Sequence, residues 1–448
     1  RVLFRSPDGE PSTIPIAAIT GTNGKTTTSR MLAHILKMRG YTVGLTSTDG
    51  VYIDGQLTVA GDMTGPVSAR IILRDPSVDA AVLETARGGL VRSGMGYRSC
   101  NVACCLNVSG DHLGQGGIET IEQLAEIKRI PIEVATDCAV LNADDRLCLA
   151  MADYTEAARV CYVTMKPGHP LVKQHIRAGG QAFVLEEGMN GHMITIYDQG
   201  KHMPLLWTHL IPATVEGRAL HNVQNAMFAA ALAYNMNLSL DDIRQGLRTF
   251  DTTFFQAPGR MNIYDDHPFR VIMDYAHNHA AVQAMCDLVE RFEVEGRRLV
   301  VLGAPGDRRD QDIEAIADIA ARHFDHFICR CDDHRRGRGN DEVARMLEAR
   351  LLKQGIRPEQ IDVVVDEQAS IDHALTICAP GDLLLVLADN VKRSWKQIIY
   401  FDTGHGDSSP TRGTEAVSVP DLQGFDLDES LSLVSDERGV RIAREASD

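Results

Sequence analysis

Apolar and polar positions along the chain alternate between two spacings, short buried runs and amphipathic helical stretches. The apolar run at 14–19 predicts a strand, and residues 26–39 predict a helix with Met31, Leu32, Ile35 and Leu36 on one face. Gly40 supplies its stop signal. The alternation continues through a strand at 41–45, a polar stretch at 47–70, and strands at 78–83 and 101–108. A helix at 117–129 and strands at 139–141 and 160–163 follow. Strands separated by helices imply a parallel sheet. From 175 to 213 the period falls to two, with runs at 181–186 and 192–197 between glycine turns, which predicts antiparallel hairpins packed beside that sheet. Helical spacing returns at 226–235, opened by His221-Asn222-Val223-Gln224-Asn225, and Ser239 to Asp242 reads as the cap of the next helix.

Residues 250–258 break the pattern, and a second alternating unit begins beyond them. Its strands are predicted at 269–273, 299–302, 326–328, 361–365 and 383–387. Its helices are predicted at 280–292, 311–323, 341–354, 369–378 and 391–401. No G-x-G-x-x-G follows its first strand, so the unit is Rossmann-like in build without being a dinucleotide site. The expected fold class is α/β: a P-loop parallel-sheet ATPase domain with a small antiparallel β insertion at 14–255, then a Rossmann-like α/β domain at 256–402. Residues 1–13 are read as an N-terminal remnant, and 403–448, rich in Gly, Ser, Pro, Asp and Glu, as a disordered acidic tail. The chain starts at Arg1 rather than Met, and residues 1–6 resemble a scar more than a domain start.

Charge and composition narrow the function. A net charge of −16 argues against nucleic acid or an anionic membrane as partner. No apolar run reaches the roughly 18 residues of a membrane span. Ten cysteines without a paired CxxC set read as buried thiols, and with no signal peptide evident the expected location is the cytoplasm.

The candidate chemistry centres on Ile19 to Thr28, where a strand, a glycine turn and a helix start form a phosphate cradle. The general P-loop pattern asks for glycine where Ile19 stands. Lys25 is placed to meet terminal phosphates and the Thr26 hydroxyl to ligate Mg²⁺. Glu84 ends one strand, and Asp111 and His112 follow another. Open parallel sheets bind ligands beyond those ends, so Glu84 and His112 are candidate metal ligands rather than solvated loop residues. Lys128 reads by periodicity as a surface lysine. Asn222 and Asn225 share a helix face, where their amides either read an adenine edge or cap the helix. Asp274 ends the first strand of the second unit and 303–310 follows its second strand, which suggests a cleft between the units. The basic cluster at 334–338 is expected to be solvated.

Taken together, residues 20–27, Glu84, Asn107, Asp111-His112, His221 to Asn225, Pro258-Gly259-Arg260 and residues 274–278 occur in an order that resembles the Mur ligases. That family includes muramyl-peptide ligases and folylpolyglutamate synthases. The runs at 47–54, 61–66, 83–89, 303–310 and 388–397 are similar to its cyanophycin-forming branch, and the resemblance covers 14–401. It implies an amide ligase using ATP and Mg²⁺, which phosphorylates a carboxylate to an acyl phosphate for attack by an amine. In that branch the amine is the arginine α-amine, and the acid is the β-carboxylate of a terminal aspartate in the polymer. On this resemblance Gly21, Thr22, Asn23, Gly24, Lys25, Thr26 and Thr27 hold phosphates. Thr26, Glu84 and His112 hold metal, Asn222 and Asn225 meet adenine, Asp274 the ribose, and Arg260 the phosphates. Lys128 falls near a position where many relatives carry a carbamylated lysine, so Lys25, Glu84, His112 and Lys128 form the implied catalytic set. The resemblance further implies a homo-oligomer and an upstream ATP-grasp half that this chain lacks. Two alternatives stay open: a muramyl- or folyl-type ligase, and a non-catalytic nucleotide-binding scaffold.

Overall fold

A computed structural model describes residues 13–402 and the strands Leu431–Asp436 and Gly439–Arg444. The described residues up to 402 belong to one compact unit and the two C-terminal strands to another. The N-terminal remnant up to residue 12, and most of the expected tail, lie outside the described residues. Within the tail, the two strands pair as an antiparallel hairpin with Leu431 opposite Arg444.

The first sheet has eleven strands. In chain order they are β1 (Ile16–Thr20), β2 (Val43–Ser47), β3 (Gly50–Ile53), β4 (Gln56–Ala60), β5 (Ala80–Glu84) and β6 (Cys100–Cys105). The remaining five are β7 (Ala135–Asn142), β8 (Arg159–Thr164), β9 (Gln181–Gly188), β10 (Gly191–Asp198) and β11 (Lys201–Trp207). They lie in the order β11-β10-β9-β8-β7-β6-β1-β5-β2-β3-β4. The stretch from β9 to β2 is parallel, and its central strands β1 and β5 are buried throughout and mostly apolar because helices cover both faces.

The expected antiparallel hairpins are present as β9, β10 and β11. Strand β9 pairs in parallel with β8, so the antiparallel β9-β10-β11 meander extends the same sheet. His175 belongs to the helix Pro170–Arg177 instead. The polar stretch at 47–70 holds two antiparallel strands, β3 and the edge strand β4, and the start of the helix Pro66–Arg74. The alternation rule misses β4 because nearly all its side chains are exposed. The alanine-rich helix Leu220–Asn235 is buried on almost every side, and small side chains let it sit in the core beside the helix Lys25–Met38.

The second sheet adds β12 (Asn262–Tyr264), β13 (Arg270–Asp274), β14 (Arg298–Leu302), β15 (His326–Cys329), β16 (Ile361–Val363) and β17 (Leu383–Leu387). Its order is β12-β13-β17-β14-β15-β16, parallel except for the three-residue edge strand β12, which is too short to leave a periodic signal. The basic cluster at 334–338 is not simply solvated. Arg336 pairs with Asp307 at 3.2 Å, and Arg338 pairs with Asp310 at 2.6 Å and Glu342 at 2.7 Å. Arg338 also donates to the carbonyls of Gly306 and Arg308, so the cluster fixes the loop beyond β14.

Candidate active site

Strand β1 ends at Thr20, and the chain turns into the helix Lys25–Met38 through two glycines with positive φ. A Cβ on Gly21 would lie 2.9 Å from the Leu106 side chain, and one on Gly24 would collide with the Asn225 amide. Asn107 clamps the turn: its carbonyl accepts from Thr22 N–H at 2.9 Å, its Oδ1 from Asn23 N–H at 2.9 Å, and its Nδ2 donates to the Asn23 carbonyl at 3.1 Å. A helix start leaves its first N–H groups without intrahelical partners, and an anion held in such a loop can satisfy them. Lys25 Nζ folds back onto the Thr22 carbonyl at 2.9 Å.

Parallel pairing sets Ile19 beside Glu84, which brings that carboxylate to the loop. Thr26 Oγ1 donates to Glu84 Oε1 at 3.2 Å, lies 3.2 Å from Thr48 Oγ1, and accepts from Arg260 Nη2 at 3.3 Å. Glu84 is buried, and its Oε2 has no hydrogen-bond partner among the described residues. Burial raises the carboxyl's pKa against the opposing charges of Lys25 and Arg260. An orphaned carboxylate oxygen beside two hydroxyls is a hard, all-oxygen donor set of the kind Mg²⁺ takes. The residues present therefore fit that ion.

His112 stands elsewhere in the cleft. Its ligand nitrogen lies with a carboxylate oxygen of Asp111 and a ring nitrogen of His277 in a group whose candidate atoms are all within 4.8 Å, a group that does not include Glu84. The resemblance implies one or two Mg²⁺ on Thr26, Glu84 and His112; the structure sets Thr26 and Glu84 side by side and His112 with Asp111 and His277. Arg308 Nη2 donates to His112 Nε2 at 3.0 Å, so the imidazole proton is on Nδ1 and donates to Gln115 Oε1 at 3.1 Å. Burial lowers the pKa of both His112 and His277.

Lys128 is no surface lysine. It is buried, and Nζ donates to the Gly21 carbonyl at 2.7 Å. Burial, reinforced by the Lys25 charge, brings its amine down to about 7. Stability is therefore expected to rise with pH between about 7 and 10.5, because the unfolded chain binds that proton more tightly there. Lys128→Met is expected to be more stable than the parent at pH 7, with the gap closing by pH 10, as urea midpoints at the two pH values would read. Equal gaps at both pH values would refute this.

Asn222 and Asn225 do not cap their helix, whose N-cap is Ala219 without a side-chain bond. Asn222 Nδ2 donates to the Ala213 carbonyl at 2.8 Å, and Asn225 Nδ2 to Asn222 Oδ1 at 3.0 Å. Both line a cavity with the phosphate loop, His221, and the small residues Ala280, Ala281 and Ala284 of the facing helix. Burial lowers His221 to about 4, so this wall is uncharged. Asp274 opens onto the same cavity, its carboxylate accepting from the backbone of Met261 and Ala276 at 2.8 Å each.

The two sheets meet across this cleft. Asn23 and Asn278 exchange side-chain hydrogen bonds at 3.1 and 2.9 Å, and Arg308 Nε pairs with Asp111 at 3.0 Å. Gln115 Nε2 donates to the Asp307 carbonyl at 2.8 Å. Sequence reasoning gave Thr48, Asn278 and Arg308 no role, although each lies in or beside a run that drew notice.

Comparison with known proteins agrees with this architecture. Residues 19–233 match the Mur ligase middle domain, and 259–390 match the Mur ligase glutamate ligase domain. A cyanophycin synthetase from Synechocystis sp. is 43% identical over 390 residues, 87% of this chain and 44% of that protein. One from Trichormus variabilis is 43% identical over 401 residues, 88% of this chain and 43% of that protein. The chain thus spans less than half the length of either relative. Among solved structures, E. coli FolC in complex with DHPP and ADP superposes with a TM-score of 0.66 at 20% identity, covering 89% of this chain and 90% of that one. With middle and ligase domains both matched, in sequence and in fold, the chain belongs to the Mur ligase family.

Proposed function

We propose that this chain is an ATP-dependent amide ligase that joins the α-amine of arginine to the β-carboxylate of a terminal aspartate in cyanophycin. The observation that carries the proposal is a three-armed cleft. The nucleotide cavity, a basic arm with Arg87, Arg92 and Arg308, and an acidic arm with Asp49, Asp333 and Asp389 share Thr48 and Tyr275 in their walls. One arm suits ATP, one an anionic polymer end, and one a cationic amino acid.

In this reading residues 14–255 and 256–402 act as the central and C-terminal domains of the ligase. Adenine lies between Asn222, Asn225 and the alanine face, with the ribose at Asp274. Lys25, Arg260 and the N–H groups from Gly21 to Thr27 hold the phosphates, and Arg87 and Arg92 orient the acceptor carboxylate. That carboxylate takes the γ-phosphoryl group, ADP leaves, and the arginine amine attacks the acyl phosphate to form a tetrahedral intermediate that expels phosphate. Mg²⁺ held by Thr26 and Glu84 would neutralise phosphate charge, and a second ion at His112 would take Nε2 in place of the Arg308 guanidinium. Lys128, neutral for part of its population near pH 7, is set up to add CO₂ as a carbamate. A closed cleft keeps water from the acyl phosphate. The buried, unpartnered oxygen of Glu84 speaks against a mere scaffold, which has no need to carry that destabilising charge. A homo-oligomer and an upstream ATP-grasp half complete the proposal, in line with the cyanophycin synthetases that the chain resembles over less than half their length.

The test is phosphate release from ATP and Mg²⁺ by the purified chain with an aspartate-terminated primer, with and without arginine, while mass spectrometry follows the primer. Release that needs both partners, with the primer gaining one arginine, is the expected result. Release supported by muramyl or folyl acceptors instead would sink the assignment.

A further inference from the structure

The acidic arm is a cavity of about 360 Å³ that shares Thr48, Arg260 and Tyr275 with the nucleotide cavity. Most carboxylates at its outer end are already occupied. Asp49 pairs with Arg30 at 3.0 Å, Asp333 with Arg393 at 2.7 Å, and Asp332, just behind, with Arg330 at 2.8 Å. Asp389 differs. Its backbone N–H donates to Glu367 Oε1 at 2.6 Å, which fixes the residue beyond the end of β17, ahead of the helix Val391–Ile399. Its carboxylate has no hydrogen bond or ion pair among the described residues, although Arg260 and Lys392 line the same cavity.

That arrangement is unfavourable for the protein alone. Burial, and then the charges of Asp332 and Glu367, raise the Asp389 carboxyl's pKa, against weaker help from Arg330 and Arg336. A half-buried carboxylate among like charges, held rigidly and left unpaired, is relieved by a cation from outside. The cavity shares the wall of Thr48 and Arg260 with the phosphate end of the nucleotide cavity, so a ligand in it lies next to the proposed reacting centre.

We infer that Asp389 receives the guanidinium of the incoming amino acid, selecting a long cationic side chain while its α-amine points back past Thr48 and Tyr275 to the acyl phosphate. The inference rests on the arginine-adding reading above and gives it a specificity residue. A planar guanidinium offers paired N–H donors to one carboxylate, a geometry that the neutral urea group of citrulline matches in shape but not in charge.

Calorimetric titration of arginine and of citrulline into the purified chain with ADP and Mg²⁺, for the parent, Asp389→Asn and Asp389→Glu, decides it. Asp389→Asn is expected to weaken arginine binding about tenfold or more, the size of one charge-assisted hydrogen-bonded pair, and to leave citrulline unchanged. Asp389→Glu is expected to recover part of the loss. The melting temperature of Asp389→Asn should equal or exceed the parent's, since no internal bond is removed. Arginine bound equally by parent and Asp389→Asn, or not bound by the parent, overturns the inference. Primer extension separates the two claims. Asp389-dependent arginine binding without extension sinks the arginine-adding reading and keeps the pocket, whereas undiminished extension by Asp389→Asn sinks the pocket and keeps the reading.

Discussion

Glu84→Gln is expected to lower ATP turnover by at least about 100-fold, the scale of losing one aimed electrostatic contact, while leaving the protein as stable as the parent or more so. The two effects have one cause. Glu84 is 2% exposed, and one of its oxygens is satisfied by the Thr26 hydroxyl while the other has no partner. Glutamine keeps the shape and the Thr26 contact but removes a charge that burial disfavours. The sign with pH follows. Burial holds the folded-state pKa above the ordinary 4.5, so the folded protein binds the proton more tightly, and parent stability falls as pH rises from 4.5 through the raised value. The Gln variant should lack that slope. Mg²⁺ should raise the parent's melting temperature and leave the variant's unmoved. Activity and stability lost together would instead mark Glu84 as a structural residue.

Much of this arrangement is legible in the sequence because it depends on local rules. The glycine turn from Gly21 to Gly24 announces the phosphate loop, since two positions with positive φ need residues without a Cβ. Glu84 is legible because a parallel strand of apolar residues delivers whatever stands at its carboxyl end to the cleft. Lys128 shows where the rule fails. Helical spacing cannot tell a solvent face from a face turned toward the back of a neighbouring loop, and here the lysine reaches the Gly21 carbonyl. The edge strands β4 and β12 escape for a different reason: little of β4 is buried and β12 is only three residues long. Arg308 and Asp389 are invisible in kind, because their roles lie in partners more than 100 residues away or in the absence of any partner.

Arg308→Ala is expected to open the cleft and uncouple ATP use from ligation. Arg308 and Asp111 form an ion pair with side chains 5% and 9% exposed, and the same guanidinium occupies His112 Nε2. Removing one member of a buried pair costs about 3–5 kcal/mol, because the other charge is left without compensation. Burial alone would raise the Asp111 carboxyl, but His277, His112, Arg308 and Lys25 outweigh it and hold it near 2. It therefore stays charged in the variant, and the cheapest relief is to part the two sheets and admit water. Scattering should show a larger radius of gyration, and, if the proposed reaction holds, phosphate release should continue while primer extension falls, since an exposed acyl phosphate would hydrolyse. Asp111→Asn in the Arg308→Ala background should restore part of the closure by removing the stranded charge, a non-additivity that independent sites would not give. In the parent the stabilisation that His277, His112, Arg308 and Lys25 give the Asp111 carboxylate is complete above the ordinary 3.8 and is lost as pH falls toward about 2, so acid should open the parent as the substitution does at neutral pH. A variant that stays compact and tightly coupled would show that the Asn23–Asn278 exchange holds the cleft without the ion pair.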